Sequence, residues 1–165
     1  MVKVIPMSPM SRSVAKVSDV PIIFFESWID FTKNWRQIST GNNDAHIILR
    51  GGKVPNFDKE SVEQTLTALK EAEVNESIMI DASHGNSQKK FKQQIPVIES
   101  ICQQITEGNN NIKGVMIESH LNEGNQKITE KLNYGQSITD ACMGWEDTVM
   151  CLQKLNDTIK LKRGK

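Results

Sequence analysis

From residue 45 onward, short apolar runs alternate with longer amphipathic stretches. The first run, AHIILRGG, covers Ala45–Gly52 and closes on two glycines. Asp58–Val74 follows with apolar residues at helical spacing, and Ser61 and acidic residues mark its start. The second run, SIMIDASHGN, covers Ser77–Asn86. This part of the chain therefore predicts a strand, a helix and a second strand.

The alternation continues over the next thirty residues. Ser87–Gly108 carries one apolar stripe at helical spacing, made of Phe91, Ile95, Ile98, Cys102 and Ile105. Pro96 lies inside this stretch and is expected to bend the helix or divide it. Ile112–His120 is the third apolar run and predicts a third strand.

The C-terminal part predicts a long polar loop and a final helix. The loop covers Leu121–Gly144, and the helix covers Trp145–Lys162. Its predicted apolar stripe consists of Trp145, Val149, Leu152, Leu155 and Ile159. Strands that read as continuous apolar runs and alternate with helices favour a parallel sheet with right-handed crossovers. The fold class is therefore α/β.

The first forty residues do not share this pattern. Met7–Asp19 is small and polar and predicts a loose tail. Val20–Phe31 is strongly apolar and fits either a buried strand or a short helix. The predicted organisation is thus an irregular segment over residues 1–40 and an α/β unit over residues 41–165.

Composition and charge do not indicate nucleic-acid binding, membrane binding or secretion. The 165 residues fit one domain, and 20 Lys and Arg balance 20 Asp and Glu. This balance does not indicate a nucleic-acid or membrane-surface partner. No secretory signal or membrane-spanning run is recognisable, so we expect a cytoplasmic protein with three reduced cysteines.

Chemically active side chains follow each predicted strand. Arg50 ends the first strand, His84 follows the second and Glu118 follows the third, while Asp140 lies in the long loop. The carboxyl ends of parallel strands meet at one edge, where α/β folds bind their ligands. One imidazole and two carboxylates suit Mn, Fe, Co or Zn, and an arginine beside glycines suits a phosphate or carboxylate. The pattern indicates a metal beside an anionic substrate.

Each of these residues also has a simpler interpretation. Arg50 could form an ion pair, and His84 could hydrogen-bond within its turn. Asp140 could cap the final helix. Glu118 is the hardest to explain without a metal, because a carboxylate that ends a buried strand needs a partner. His120 is expected behind the ligands rather than among them.

Four segments resemble one enzyme family. They are DAHIILRGG, MIDASHGNSQKKFKQQ, GVMIESHLNEGNQ and YGQSITDACMGWEDT. In this order they are similar to the C-terminal part of class I 3-deoxy-D-arabino-heptulosonate 7-phosphate (DAHP) synthases. The resemblance covers Gly41–Gly164, and residues 1–40 carry little or none of it.

The resemblance implies a fold, a reaction and a site. The fold would be part of a (β/α)₈ barrel, with the three strands as its sixth to eighth. The reaction would be the transferase condensation of phosphoenolpyruvate with erythrose 4-phosphate, which releases phosphate and begins the shikimate route to aromatic amino acids. Arg50 would bind phosphoenolpyruvate, His84 would also touch substrate, and His84, Glu118 and Asp140 would bind the divalent metal.

Other family motifs do not occur in the sequence. The Gly-Pro-Cys-Ser motif, which supplies a fourth metal ligand, is not found, and neither is the Lys-Pro-Arg-Thr motif that binds erythrose 4-phosphate. We therefore expect the chain to be inactive alone and to need a missing N-terminal half. The alternatives are a non-catalytic fragment that docks on an intact synthase, or a degenerate gene product.

Overall fold

The computed structural model describes residues 2–7, 10–17, 20–25 and 45–164. Three antiparallel strands come first: β1 (Val2–Met7), β2 (Met10–Val17) and β3 (Val20–Phe25). The loose tail predicted for Met7–Asp19 is therefore wrong over Met10–Val17. β2 is small and polar, yet it pairs along its whole length with β1 on one side and β3 on the other. Such pairing is possible because strands pair through main-chain groups, and both neighbours are rich in residues that favour strands.

The apolar segment Val20–Phe31 was predicted to be either a buried strand or a short helix. Its first part, Val20–Phe25, is a strand. The remainder of the Val20–Phe31 segment lies outside the described residues. So does the boundary between residues 40 and 41, which stays a prediction. β3 lies beside β4 (Ile47–Leu49), although the two strands belong to separate sheets.

The central sheet is parallel and has the order β4-β5-β6, as the alternating pattern predicted. β5 is Ile78–Asp81 and β6 is Ile112–Met116. Leu49 pairs with Ile80, and Ile80 pairs with Val115, so the three strands finish close together. The buried side chains of β4 and β5 form the centre of the hydrophobic core.

Helix α1 (Lys59–Glu71) begins where the sequence indicated. The Asp58 carboxylate accepts hydrogen bonds from the Ser61 amide at 2.9 Å and from the Ser61 hydroxyl at 2.7 Å. These bonds satisfy helix donors that have no partner within the helix. Val62 and Leu69 bury one face of the helix in the core.

Helix α2 (Gln94–Thr106) starts later than predicted, after a single 3₁₀ turn at Phe91–Gln93. Residues 84–89 are turns, and three of them have positive φ. Pro96 is the third residue of α2, where a backbone N–H has no partner within the helix, so it neither bends nor divides the helix.

The polar loop contains two short strands, β7 (Asn122–Asn125) and β8 (Gln136–Ser137), which pair in parallel. Helix α3 (Trp145–Arg163) follows, and it packs against α2. No helix among the described residues is long and apolar enough to cross a bilayer. All three cysteines are free thiols.

The predicted apolar stripe of α3 is largely wrong. Trp145 is 55 % exposed, Val149 is 45 % exposed and Leu152 is 49 % exposed. The buried face consists of Thr148, Cys151 and Thr158, while Leu155 and Ile159 of the predicted stripe are partly buried against the core. Thr148 faces inward because its hydroxyl hydrogen-bonds the Ser119 hydroxyl at 2.6 Å and donates to the Gly144 carbonyl at 2.8 Å. The core-facing side of the helix therefore overlaps the predicted stripe at Leu155 and Ile159 and differs from it over the first two turns.

Two glycines bring the loops after β4 and β5 into backbone contact. A Cβ on Gly51 would lie 2.5 Å from the Gly85 carbonyl carbon, and Gly51 has a φ of +73°. A Cβ on Gly85 would lie 2.9 Å from the Arg50 carbonyl oxygen. The Gly85 amide donates to that oxygen at 3.1 Å. Side chains at either position would force these loops apart.

We predict that Gly85→Ala lowers the free energy of unfolding by about 2 kcal/mol or more, because the new methyl group meets backbone that cannot rotate away. Gly52→Ala is the matched control, since a Cβ there has no neighbour within 4 Å. It should change stability by less than about 0.5 kcal/mol. Urea unfolding measures both, and equal stabilities for the two variants would contradict the close approach.

Candidate metal and anion site

His84 is held by a buried acid at the end of β5. Its Nδ1 lies 2.7 Å from Asp81 Oδ2, and the Ser83 hydroxyl donates to Asp81 Oδ1 at 2.6 Å. Asp81 is 1 % exposed, so its carboxylate is shielded from water, while His84 is only partly buried. Fixing Nδ1 leaves Nε2 of His84 directed at the next strand end, which is how metal-binding histidines are commonly oriented.

Glu118 follows β6 by two residues and faces this imidazole. Its Oε1 lies 3.3 Å from His84 Nε2. The backbone of Glu118 is fixed by the amide of Gln94, which accepts from the Glu118 N–H at 2.9 Å and donates to the Glu118 carbonyl at 3.0 Å. The same carbonyl accepts from the Met143 amide at 2.9 Å. The carboxylate therefore extends from a rigid backbone.

Asp140 completes the group from the long loop. One donor atom each from His84, Glu118 and Asp140 lies within 4.8 Å of the others. An imidazole nitrogen and two carboxylate oxygens at this separation match the donor preferences of Mn, Fe, Co and Zn. The donor set and its spacing fit the divalent metal that the sequence predicted, and one ion could contact all three.

The same three side chains line a cleft of about 580 Å³ together with two cationic residues, Arg50 and Lys89. Arg50 is exposed at the end of β4, and Gly51 and Gly52 beside it also line the cleft. Two cations and bare glycine backbone beside a group of side chains that could hold a metal ion suit an anionic ligand. The structure thus brings all four predicted site residues into one cleft.

Other predicted residues lie elsewhere. His120 is exposed, and its Nδ1 accepts from the Leu121 amide at 2.8 Å. His46 is exposed directly before β4, at the opposite end of that strand from Arg50. Cys142 donates to the carbonyl oxygen of Asp140 at 3.5 Å and is not among the grouped donor atoms.

Three supporting residues were not assigned a role from sequence. Asp81 orients His84, and Gln94 holds Glu118. Asn86 is buried and donates to the Leu49 carbonyl at 3.1 Å and to the Asp81 carbonyl at 2.8 Å, which joins the ends of β4 and β5. Gln94 had a recognisable signal, because it stands one helical turn before Ile98 on a face that is otherwise apolar.

Burial raises the pKa of the Glu118 carboxyl above its ordinary value of 4.5. His84 acts against this, while the nearby carboxylates of Asp140 and Asp81 raise the pKa further, and Arg50 lowers it. The net shift is upward, so the folded chain holds the Glu118 proton more tightly than the unfolded chain does. A bound cation would remove this penalty on the charged carboxylate.

We predict that Glu118 makes the metal-free protein less stable as pH rises. A raised folded-state pKa contributes stability that is fully present at low pH and is lost as pH rises through that pKa. Glu118→Gln should therefore gain stability relative to the parent chain as pH rises above the ordinary carboxyl pKa of 4.5. Urea unfolding of both proteins in chelator measures this, and a difference that does not change with pH would contradict it.

Comparisons with known proteins identify the family of the chain. The profile of the DAHP synthetase I family matches residues 14–153. This match begins earlier in the chain than the resemblance recognised in the sequence, which began at Gly41. The Phe-sensitive phospho-2-dehydro-3-deoxyheptonate aldolase of Escherichia coli K12 is 51 % identical over 128 residues, which are 76 % of this chain and 37 % of that enzyme. A putative enzyme of the same name from Schizosaccharomyces pombe is 49 % identical over 130 residues, 76 % of this chain and 35 % of that protein.

A solved structure gives the same result. Phospho-2-dehydro-3-deoxyheptonate aldolase from Francisella tularensis SCHU S4 matches with a TM-score of 0.72 and 39 % identity, over 98 % of this chain and 42 % of that one. The chain spans little more than a third of the length of these curated relatives. Its sequence and its fold agree in assigning it to one family: the chain belongs to the DAHP synthetase I family.

Proposed function

We propose that this chain forms the metal-binding part of the active site of a DAHP synthase. The reaction is the condensation of phosphoenolpyruvate with erythrose 4-phosphate to give DAHP and phosphate, in the cytoplasm, at the start of the shikimate pathway. The observation that carries the proposal is the convergence of His84, Glu118 and Asp140 beside Arg50 in one cleft. The family's similarity over most of the chain supports it.

Each side chain has a role in this proposal. His84, Glu118 and Asp140 hold the divalent ion, and Asp81 keeps the His84 Nε2 available by binding Nδ1. Arg50 binds the phosphate or carboxylate of phosphoenolpyruvate, and Lys89 adds a second positive charge to the same cleft. When bound, the metal supplies Lewis-acid polarisation of the erythrose 4-phosphate aldehyde. His84 also touches the substrate across the cleft.

The fold supports a partial barrel. Three adjacent parallel strands in chain order, with their functional residues at one end, are what strands six to eight of a (β/α)₈ barrel would show. The printed sequence lacks the Gly-Pro-Cys-Ser and Lys-Pro-Arg-Thr motifs of the family. We therefore propose that turnover requires further polypeptide that carries these motifs, either in a longer protein or as a separate chain.

A second candidate function is a non-catalytic docking module. The specific observation in its favour is the exposed apolar stripe of α3, consisting of Trp145, Val149 and Leu152. A contiguous apolar stripe on a helix surface is typical of an interface. The partner in both cases is DAHP synthase polypeptide: the complementary N-terminal part for the enzyme, or an intact synthase for the module.

We predict no turnover by the chain alone and measurable turnover after mixing with a polypeptide that carries the first two thirds of the E. coli relative. Phosphoenolpyruvate consumption with erythrose 4-phosphate and Mn²⁺ is the assay. His84→Ala should abolish the activity of the mixture because it removes a metal ligand, whereas His120→Ala should retain it. Activity of the chain alone would overturn the requirement for a partner, and an active His84→Ala mixture would overturn the metal assignment. Binding to an intact synthase without added activity would favour the docking module.

We also predict that Leu152→Ser weakens association with that polypeptide without loss of chain stability, because the side chain is half exposed in the free chain. Ile128→Ser is the control, since Ile128 is a 75 % exposed residue away from the stripe. Analytical ultracentrifugation of the mixtures measures association, and thermal unfolding measures stability. Equal effects of the two variants on association would exclude the α3 stripe as the contact surface.

A further inference from the structure

The side chain of Gln94 is fully buried and makes its hydrogen bonds to the backbone of one residue. It has 0 % exposure, and both ends of its amide bind Glu118, a residue 24 positions away. Gln94 is the first residue of α2, so these bonds connect the start of that helix to the end of β6. A buried amide that is paired at both ends fixes the groups that it contacts.

Glu118 needs this support because it lies beyond the sheet. β6 ends at Met116, and only two residues later the chain must present a carboxylate to His84. The Glu118 carbonyl has a second donor, the Met143 amide, but the Glu118 N–H has Gln94 Oε1 as its acceptor. Loss of Gln94 would leave this N–H unpaired in a partly buried position, and the peptide plane that directs the carboxylate could then rotate.

We propose that Gln94 is a positioning residue for the metal site, which acts by holding the Glu118 backbone so that the carboxylate faces His84 and Asp140. The proposal rests on the metal site of the proposed function. Both side-chain hydrogen bonds of Gln94 go to the Glu118 backbone, so its effect on the site passes through that residue. Supporting residues of this kind typically change metal affinity by 10–100-fold when they are replaced.

A matched control exists in the same helix. Gln104 is also buried, at 4 % exposure, and its amide donates to the Phe57 carbonyl at 2.8 Å. Gln94→Met and Gln104→Met each remove a buried amide from α2 and keep similar side-chain volumes, although the Gln104 Oε1, unlike that of Gln94, has no hydrogen-bond partner among the described residues. Both should destabilise the fold, but only the first lies against a metal ligand.

The experiment is a Mn²⁺ titration of the full chain by isothermal calorimetry, with urea unfolding of every variant. We expect Gln94→Met to raise the dissociation constant for Mn²⁺ by about 10–100-fold, and Gln104→Met to leave it unchanged. Gln94→Glu keeps an acceptor for the Glu118 N–H and should fall between Gln94→Met and the parent chain. If Gln94→Met does not fold, Gln94→Glu and Gln104→Met carry the comparison.

The outcomes separate this inference from the function on which it rests. If the parent chain does not bind Mn²⁺, or if His84→Ala binds it equally well, the assignment of the metal site is overturned. The positioning role of Gln94 is then overturned as well. If His84→Ala loses binding but the Gln94 variants bind like Gln104→Met, the metal site stands and the positioning role is overturned. Weaker binding specific to the Gln94 variants supports both.

Discussion

The backbone contact between Gly51 and Gly85 sets how closely the loops that carry Arg50 and His84 can approach each other. It brings the loop after β4 against the loop after β5, and the Gly85 amide donates to the Arg50 carbonyl. The buried Asn86 side chain reinforces this contact by binding the ends of both strands. Arg50 and His84 therefore line one cleft because no side chain separates their backbones. The left-handed backbone of Gly51 and its closeness to Gly85 are requirements that only glycine meets without strain.

The position of Glu118 in the cleft depends on hydrogen bonds rather than on close backbone packing. Burial raises the pKa of Glu118, and the like charges of Asp140 and Asp81 raise it further, so repulsion disfavours the charged Glu118 carboxylate in the free protein. The fold resists this repulsion by fixing His84 through Asp81 and the Glu118 backbone through Gln94. A site that is costly without a cation and rigid in its donors is the arrangement expected of a preorganised metal centre.

Much of the fold and the site could be predicted from sequence, because they follow from local patterns. The apolar runs predicted β4, β5 and β6, and the rule that parallel strands end at one edge predicted that Arg50, His84, Glu118 and Asp140 would meet. The orientation of α3 could not be predicted, since apolar periodicity does not show which of two neighbouring faces packs inward. In the structure α3 buries Thr148, whose hydroxyl hydrogen-bonds the Ser119 hydroxyl and the Gly144 carbonyl. The pairing of β2 depends on its neighbouring strands, which a single segment does not reveal.

The central claim is that His84, Glu118 and Asp140 bind one divalent ion in this chain. The most direct measurement is an anomalous difference map from crystals of the chain grown with Mn²⁺. We expect one strong peak. It should lie about 2.0–2.2 Å from the His84 Nε2 and from carboxylate oxygens of Glu118 and Asp140. A map without a peak there at saturating Mn²⁺, or a peak held by other residues, would contradict the account.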